Sequence, residues 1–362
     1  MRVLVWQWGR RGAGPRVAVT LAQYLAEIPG MTVLLSLSTG AELLQTSTPP
    51  VPDLPFATYG GLPGLLRRVA MAPLLIPRLE RWLREQRIDV ALCAMPAALD
   101  WMMSAALGRA QIPFAVVVHD AMPHPGDMFP SQLRLQRRLL RQAGGAFTLS
   151  QHVADSLITD GTRVFRSSHP PFAFGTPPAP PGAHGGPLRL LSFGRLLAYK
   201  GLDLLAGGLA AVGPRPDLVV RIVGQGPDTP ELAALSRLPN VTVENRWVPE
   251  DELGALLAWS DAVVLSYREA SQSGVAAAAL AARRWVIATD VGGLREQLQD
   301  EPSAQLCAPT AAGIADAIRQ LLDRQVPDRQ VASPGPAPAW TAEAKQMAAD
   351  LRVVQAGVSA RA

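Results

Sequence analysis

A chain of 362 residues with 48% hydrophobic and 18% charged side chains can bury two ordinary cores, which excludes disorder throughout. Its net charge of +4 sets 32 arginines and only two lysines, Lys200 and Lys345, against 30 acids. No nucleic-acid motif accompanies the arginines, so no nucleic acid is expected as a partner, and the two distant cysteines, Cys93 and Cys307, exclude a disulfide framework and a zinc site.

In chain order, Met1 leads directly into an apolar strand with no signal-peptide core. Strands are expected over 2–6, 31–36, 89–93, 113–118 and 145–149, with helices near 15–28, 64–86, 98–110 and 130–143. Short β-rich runs alternating with helical segments predict a parallel sheet covered on both faces. The stretch 170–187 contains seven prolines and reads as a linker. The alternation then resumes, with strands over 188–193, 218–223, 241–244, 262–266 and 285–289 and a helix near 310–323. A second Pro-rich break covers 326–338, and a final helix from about 341 to 354 is expected to return to the first half. No apolar run reaches the ~18 residues of a membrane span, so a cytoplasmic location is expected.

The fold class is therefore α/β, with two Rossmann-like doubly wound parallel-sheet domains facing across a cleft. The expected domains are 1–170 and 188–325, with linkers 171–187 and 326–339 and a C-terminal helix within 340–362 on the N-terminal domain. Ligands of such sheets bind beyond the carboxyl ends of the strands.

Four loops after predicted strands carry chemistry. The first holds Gly9, Gly12 and Gly14 before an amphipathic helix. Glycines at a helix N-terminus let backbone N–H groups approach an anion, or simply form a tight turn; the spacing is not a dinucleotide fingerprint. The loop after 113–118 holds His119, Asp120, His124 and Asp127. His119 is expected to face the cleft, and the irregular spacing argues against a metal. The strand 188–193 ends at Gly194 and Arg195, with Lys200 five residues on. Arginine offers phosphate a planar fork and lysine a point charge, and a lysine retained in so Arg-biased a chain is informative. The loop after 262–266 holds Glu269, Gln272, Ser273, Gly274 and Val275 ahead of an Ala-rich helix. Ser271 or Ser273 is placed to cap that helix, leaving Gly274 and Val275 N–H groups for phosphate, and Glu269 to accept from sugar hydroxyls. The turn Gly224-Gln225-Gly226-Pro227 adds a loop almost free of side chains.

Together these residues resemble the large retaining glycosyltransferase family numbered 4, of GT-B fold. Arg195, Lys200-Gly201, Gly224 and Gly226-Pro227, Glu269 and the run from Ala288 to Gly293 follow the family's order and spacing. The resemblance implies that Arg195 and Lys200 neutralise a departing nucleoside diphosphate. Glu269 then holds hydroxyls of the transferred sugar, His119 sits beside the reacting carbon, and Gln272, Ser273, Gly274 and Val275 wrap sugar and phosphate. The family usually carries a second Glu eight residues after the first, where this chain has Ala277. The chain thus resembles a branch lacking that Glu, and ribose contacts fall to Glu296 or to backbone. No cofactor or metal is expected, since no Asp-x-Asp pair occurs. The expected activity is hexosyl transfer from a nucleotide-diphosphate sugar to a glycan or polyprenyl-diphosphate-linked acceptor in bacterial surface-polysaccharide assembly. The alternatives are a sugar-nucleotide epimerase of the same architecture and a non-catalytic partner.

Two basic runs mark the acceptor half: Arg67, Arg68, Arg78, Arg81, Arg84 and Arg87 among apolar residues of 62–87, then Arg134, Arg137, Arg138 and Arg141. Such surfaces suit peripheral contact with an anionic membrane, here the inner face of the plasma membrane, or are ordinary surface helices of an Arg-biased protein.

Overall fold

The computed structural model describes residues 1–120, 130–159, 161–169, 171–174, 179–324 and 336–359. They fall into two compact units, one of Met1–Met122, Met128–Ser168 and Trp340–Ala362 and the other built on His169–Ala339.

The first unit holds β1 (Arg2–Gln7), β2 (Thr32–Ser38), β3 (Leu54–Phe56), β4 (Val90–Cys93), β5 (Phe114–Val118), β6 (Gly145–Thr148) and β7 (Val164–Arg166). They form one parallel sheet in the order β3-β2-β1-β4-β5-β6-β7. Its helices are α1 (Ala13–Ala26), α2 (Leu62–Ala70), α3 (Ala72–Glu85), α4 (Asp100–Ala110), α5 (Pro130–Gln142) and α6 (Gln151–Thr159). The central strands are continuous apolar runs because helices cover both faces: β4, β5 and β6 are buried throughout.

The second unit holds β8 (Leu188–Phe193), β9 (Leu218–Gly224), β10 (Val241–Asn245), β11 (Ala262–Leu265), β12 (Trp285–Thr289) and β13 (Ala304–Cys307). Their order is β10-β9-β8-β11-β12-β13, again parallel. Between them run α7 (Leu202–Val212), α8 (Pro230–Ser236), α9 (Glu250–Trp259), α10 (Gly274–Ala281), α11 (Gly293–Leu298) and α12 (Ala311–Asp323). One core, including Leu190, Ile222 and Val264, lines one face of the sheet; Leu191, Val223 and Val263 line the other. Thr229, Ser273 and Thr310 each cap the following helix with a side-chain oxygen.

In both sheets the first strand in sequence lies inside and the chain winds away from it in both directions. The switch points therefore fall between β1 and β4 and between β8 and β11. Beyond the carboxyl ends of those pairs is where such a sheet binds ligands.

The differences from expectation have local causes. The helix expected over 64–86 is two helices, because Pro73 near the start of α3 cannot continue α2 and the chain turns at Met71. The unexpected strands β3, β7 and β13 are all sheet edges of three or four residues. The last helix, α13 (Pro336–Ser359), starts within the expected Pro-rich break, with Pro336 and Pro338 in its first turn, where a missing N–H is harmless. From Trp340 onward it belongs to the first unit. Trp340 stacks on Tyr24 at 5.7 Å, and Glu343 accepts from the Ser168 amide at 3.1 Å. Part of the expected linker is fixed to the second unit: buried Asp261 accepts from the Gly182 amide at 2.5 Å and pairs with His184 at 2.9 Å.

Candidate functional site

At the β8–β11 switch point, the loop leaving β8 and the loop leaving β11 are stitched together. The Arg268 amide donates to the Tyr199 carbonyl at 2.8 Å, and the Ser266 hydroxyl donates to the Lys200 carbonyl at 2.8 Å. Arg268 and Asp203 close the same seam as an ion pair. Gly201 makes the closeness possible. It has φ 64, and a Cβ there would lie 1.9 Å from the Ser266 carbonyl oxygen.

The seam presents two cations on two aromatic rings. The Lys200 ammonium lies 3.6 Å from the centroid of Tyr267 and 4.9 Å from that of Tyr199. Arg195 donates to the Tyr199 hydroxyl at 3.2 Å. Burial pushes the Tyr267 phenol up to about 12, against the opposing effects of its Ser273 hydrogen bond and the Arg195 charge. The ring under Lys200 is therefore a neutral phenol whose π face attracts the ammonium. Both side chains stand at the carboxyl ends of β8 and β11, where an anionic ligand of such a sheet would meet them.

The Tyr267 hydroxyl meets Ser273 Oγ at 3.3 Å, and Ser273 Oγ accepts from the Ala276 amide as the cap of α10. Gln297 of α11 then grips Ser273 by its backbone: its Oε1 accepts from the Ser273 amide at 3.0 Å, and its Nε2 donates to the Ser273 carbonyl at 3.1 Å. Gln297 was not expected from sequence. The ribose candidate chosen there, Glu296, is its exposed neighbour on α11. A glutamine in a helix carries no spacing signal, so only the fold reveals its contact.

Other expected residues divide between ligand approach and packing. Gly194 stands at φ 115 with the Val275 methyl 3.5 Å from the position of a Cβ, so the end of β8 meets the start of α10. A Cβ at Gly224 would lie 1.7 Å from the Gly194 carbonyl oxygen, and one at Gly226 would lie 2.0 Å from that of Leu196. Those two glycines are required by backbone crossing, and Asn245 brackets Gly226 from both its amide and its carbonyl. Glu269 is exposed and Gln272 half-buried on the β11 loop.

The first unit places its own candidates at the β1–β4 switch point and beside it. His119 at the end of β5 is buried, with Nε2 3.1 Å from the Ala94 carbonyl. Burial lowers its pKa from 6.5, so the ring is neutral at pH 7 with Nε2–H donating to Ala94. Gly12 caps α1 at φ 80 in open space, whereas a Cβ at Gly14 would meet Gln7 Nε2 at 2.7 Å. Beneath this end of the sheet, Asp100 is buried and accepts from the Ala97 amide at 2.6 Å and from Cys93 Sγ at 3.4 Å. Burial raises its pKa to about 7. His124 and Asp127 lie outside the described residues. Among the described residues, no group of three His, Cys, Asp or Glu side chains is placed to hold a metal ion, and no helix is long and apolar enough to cross a membrane.

Family comparisons match both units. The description "Glycosyl transferases group 1" matches residues 187–324, and "Glycosyl transferase 4-like domain" matches residues 7–167. Each unit of the chain is thus similar to a glycosyltransferase domain. A glycogen synthase of Mycobacterium tuberculosis is 34% identical to this chain over 143 residues, 38% of its length. The match spans about a third, 34%, of that relative's length. Two solved structures share the fold across nearly the whole chain. Sucrose-phosphate synthase from Thermosynechococcus elongatus has a TM-score of 0.67 at 16% identity, covering 98% of this chain and 99% of its own. Anabaena HepE, in complex with UDP and glucose, has a TM-score of 0.68 at 17% identity, covering 100% and 99%. This likeness establishes the GT-B fold.

Within that fold, Ala277 lies fully buried in α10, and its carbonyl accepts from the Phe172 amide at 3.3 Å. Phe172 is itself buried, with its ring edge against His169, whose Nε2 lies 3.9 Å from the Cβ position of Gly274. The segment entering the second unit thus packs along the start of α10.

Proposed function

We propose that this glycosyltransferase moves a hexose, with retention and without metal, from a nucleotide-diphosphate sugar to a glycan or polyprenyl-diphosphate-linked acceptor. Bacterial exopolysaccharide or other surface-polysaccharide synthesis is the setting such acceptors suit. The observation that carries the reading is the Arg195 and Lys200 pair, held on Tyr199 and Tyr267 at the β8–β11 switch point. The neighbouring α10 N-terminus adds its dipole to the same region.

The chemistry follows from charge. Cleavage of the anomeric C–O bond leaves oxocarbenium character on the sugar and sends the electron pair to the diphosphate oxygen. Arg195 and Lys200 preorganise positive potential for that oxygen. With attack from the face of departure, the acceptor hydroxyl forms the new C–O bond and its proton passes to the leaving phosphate. Glu269 is assigned to the sugar hydroxyls, Gln272, Ser273, Gly274 and Val275 to the sugar and phosphate, and neutral His119 to the side of the reacting carbon. The ribose falls to Glu296 or to backbone, and Gly12 and Gly14 offer backbone donors in the acceptor half.

A thermal-shift panel of UDP-, GDP-, ADP-, dTDP- and CDP-sugars with and without EDTA tests the donor. A ligand at 100 times its Kd adds about 2.7 kcal/mol. One donor class is expected to shift the wild type in EDTA and to lose its effect in Lys200→Ala. No shift from any nucleotide would return a non-catalytic partner, and donor converted to an epimer without acceptor would return an epimerase.

A further inference from the structure

Helix α2 buries none of its residues, although it is mostly apolar. Leu62, Leu66 and Val69, spaced i, i+4 and i+7, form one outward stripe and are 68%, 61% and 44% exposed. Leu74, at the start of α3, continues it at 62%. Four of the seven large hydrophobic side chains exposed among the described residues thus lie within 13 positions of each other. An apolar stripe left open by its own fold is paid for only if something else covers it.

Charge indicates what covers it. The segment 54–79 contains no Asp or Glu, and neither does 128–154. Arg67, Arg78 and Arg81 are exposed beside the stripe and make no ion pair among the described residues. Arg68 is different: it reaches back to the Thr58 carbonyl and fixes α2 to the unit. Helices α3, α4 and α5 pack side by side on one face of the sheet, as right-handed crossovers require. Arg134, Arg137, Arg138 and Arg141 are all exposed along α5, spaced i, i+3, i+4 and i+7, so they form a second cationic stripe on that face. Aliphatic residues flanked by arginines and free of acids match the boundary between anionic headgroups and acyl chains. A nucleic acid would leave the aliphatic stripe uncovered.

We propose that the α2–α3 edge of the first unit docks on an anionic lipid surface. Leu62, Leu66, Val69 and Leu74 enter the headgroup–acyl boundary, while Arg67, Arg78 and Arg81 and the α5 stripe lie against the phosphates. The proposal does not depend on the donor reading.

The test is co-sedimentation of the full chain with vesicles of phosphatidylcholine alone and with about one-third phosphatidylglycerol. Wild-type protein is expected to sediment with the anionic vesicles only. Leu62→Ser/Leu66→Ser/Val69→Ser is expected to weaken this at least about tenfold at any salt concentration. Arg78→Gln/Arg81→Gln is expected to weaken it roughly fivefold per arginine, with the difference vanishing in high salt. Because the side chains are exposed, both variants should keep the wild-type melting temperature and the nucleotide-induced shift, which separates this result from the fate of the donor proposal. No sedimentation with anionic vesicles, or equal sedimentation of wild type and variants, overturns the proposal. So does a dimer in light scattering that the triple variant dissolves, which would assign the stripe to a second copy.

Discussion

Gly201→Ala isolates the seam that holds Lys200. A Cβ at this position would stand 1.9 Å from the Ser266 carbonyl oxygen, so the Lys200 turn or the β11 loop must move by at least about 1 Å to escape the clash and by about 1.5 Å to reach ordinary contact. Gly201 also has φ 64, which in alanine costs about 1–2 kcal/mol by itself. Gly213 provides the control: its φ is 78, but nothing lies within 4 Å of its Cβ position. Gly213→Ala carries a dihedral penalty at least as large, because φ 78 with ψ 169 is a region that only glycine adopts readily, yet only Gly201→Ala displaces the cation. The assay is kcat/KM for the donor identified by the nucleotide panel, with urea unfolding measured in parallel. Gly201→Ala is expected to lose about 100-fold, the usual effect of a 1 Å misplacement at a reacting centre. Gly213→Ala should lose only stability. Equal activities in the two variants would refute the idea that this backbone crossing positions Lys200.

Gln297→Ala removes both hydrogen bonds to the buried Ser273 backbone, so the second unit should lose about 1–3 kcal/mol in urea unfolding, with donor KM rising more than kcat falls. Asp100 holds its proton up to about pH 7 when folded and to about 3.8 when unfolded, so its contribution to stability is greatest below 3.8 and is lost as pH rises through 7. Asp100→Asn should abolish that loss and unfold at higher urea than wild type at pH 8. His119 runs the opposite way: burial lowers its pKa, so stability is retained above about 6.5 and falls as pH drops below it, a slope that His119→Gln should remove in urea titrations at pH 5 and 7. Ala277→Glu places a carboxylate in a fully buried helix position and should lower the melting temperature without tightening donor binding; tighter binding at unchanged stability would reveal a ribose slot there.

The legible part of the fold was its interior. Strands such as 113–118 and 262–266 are unbroken apolar runs because both faces of a parallel sheet are covered, and they formed β5 and β11. The edge strands β3, β7 and β13 carry no such signal. Pro55 sits within β3, where only an edge tolerates the missing N–H, and β13 is only half-buried. The helix expected over 64–86 failed at its break because hydrophobic periodicity continues across Met71 while the backbone hydrogen bonds do not.

Charge and glycine mark the candidate site in the sequence, and its tertiary contacts do not. Lys200 stands out as a lysine in an Arg-biased chain, whereas Arg195 and Gly201 stand out only by their spacing from it at the end of a strand. The rings beneath them do not stand out. Tyr199 and Tyr267 read as ordinary apolar residues until the fold puts an ammonium 3.6 Å from one of them. Ala277 is the converse case, a departure visible in sequence whose meaning is structural. In this chain the position lies in a helix buried from Ala276 to Ala281, with the Phe172 backbone hydrogen-bonded to it. An alanine there suits a covered helix, and a glutamate would have to displace the cover before it met any ligand.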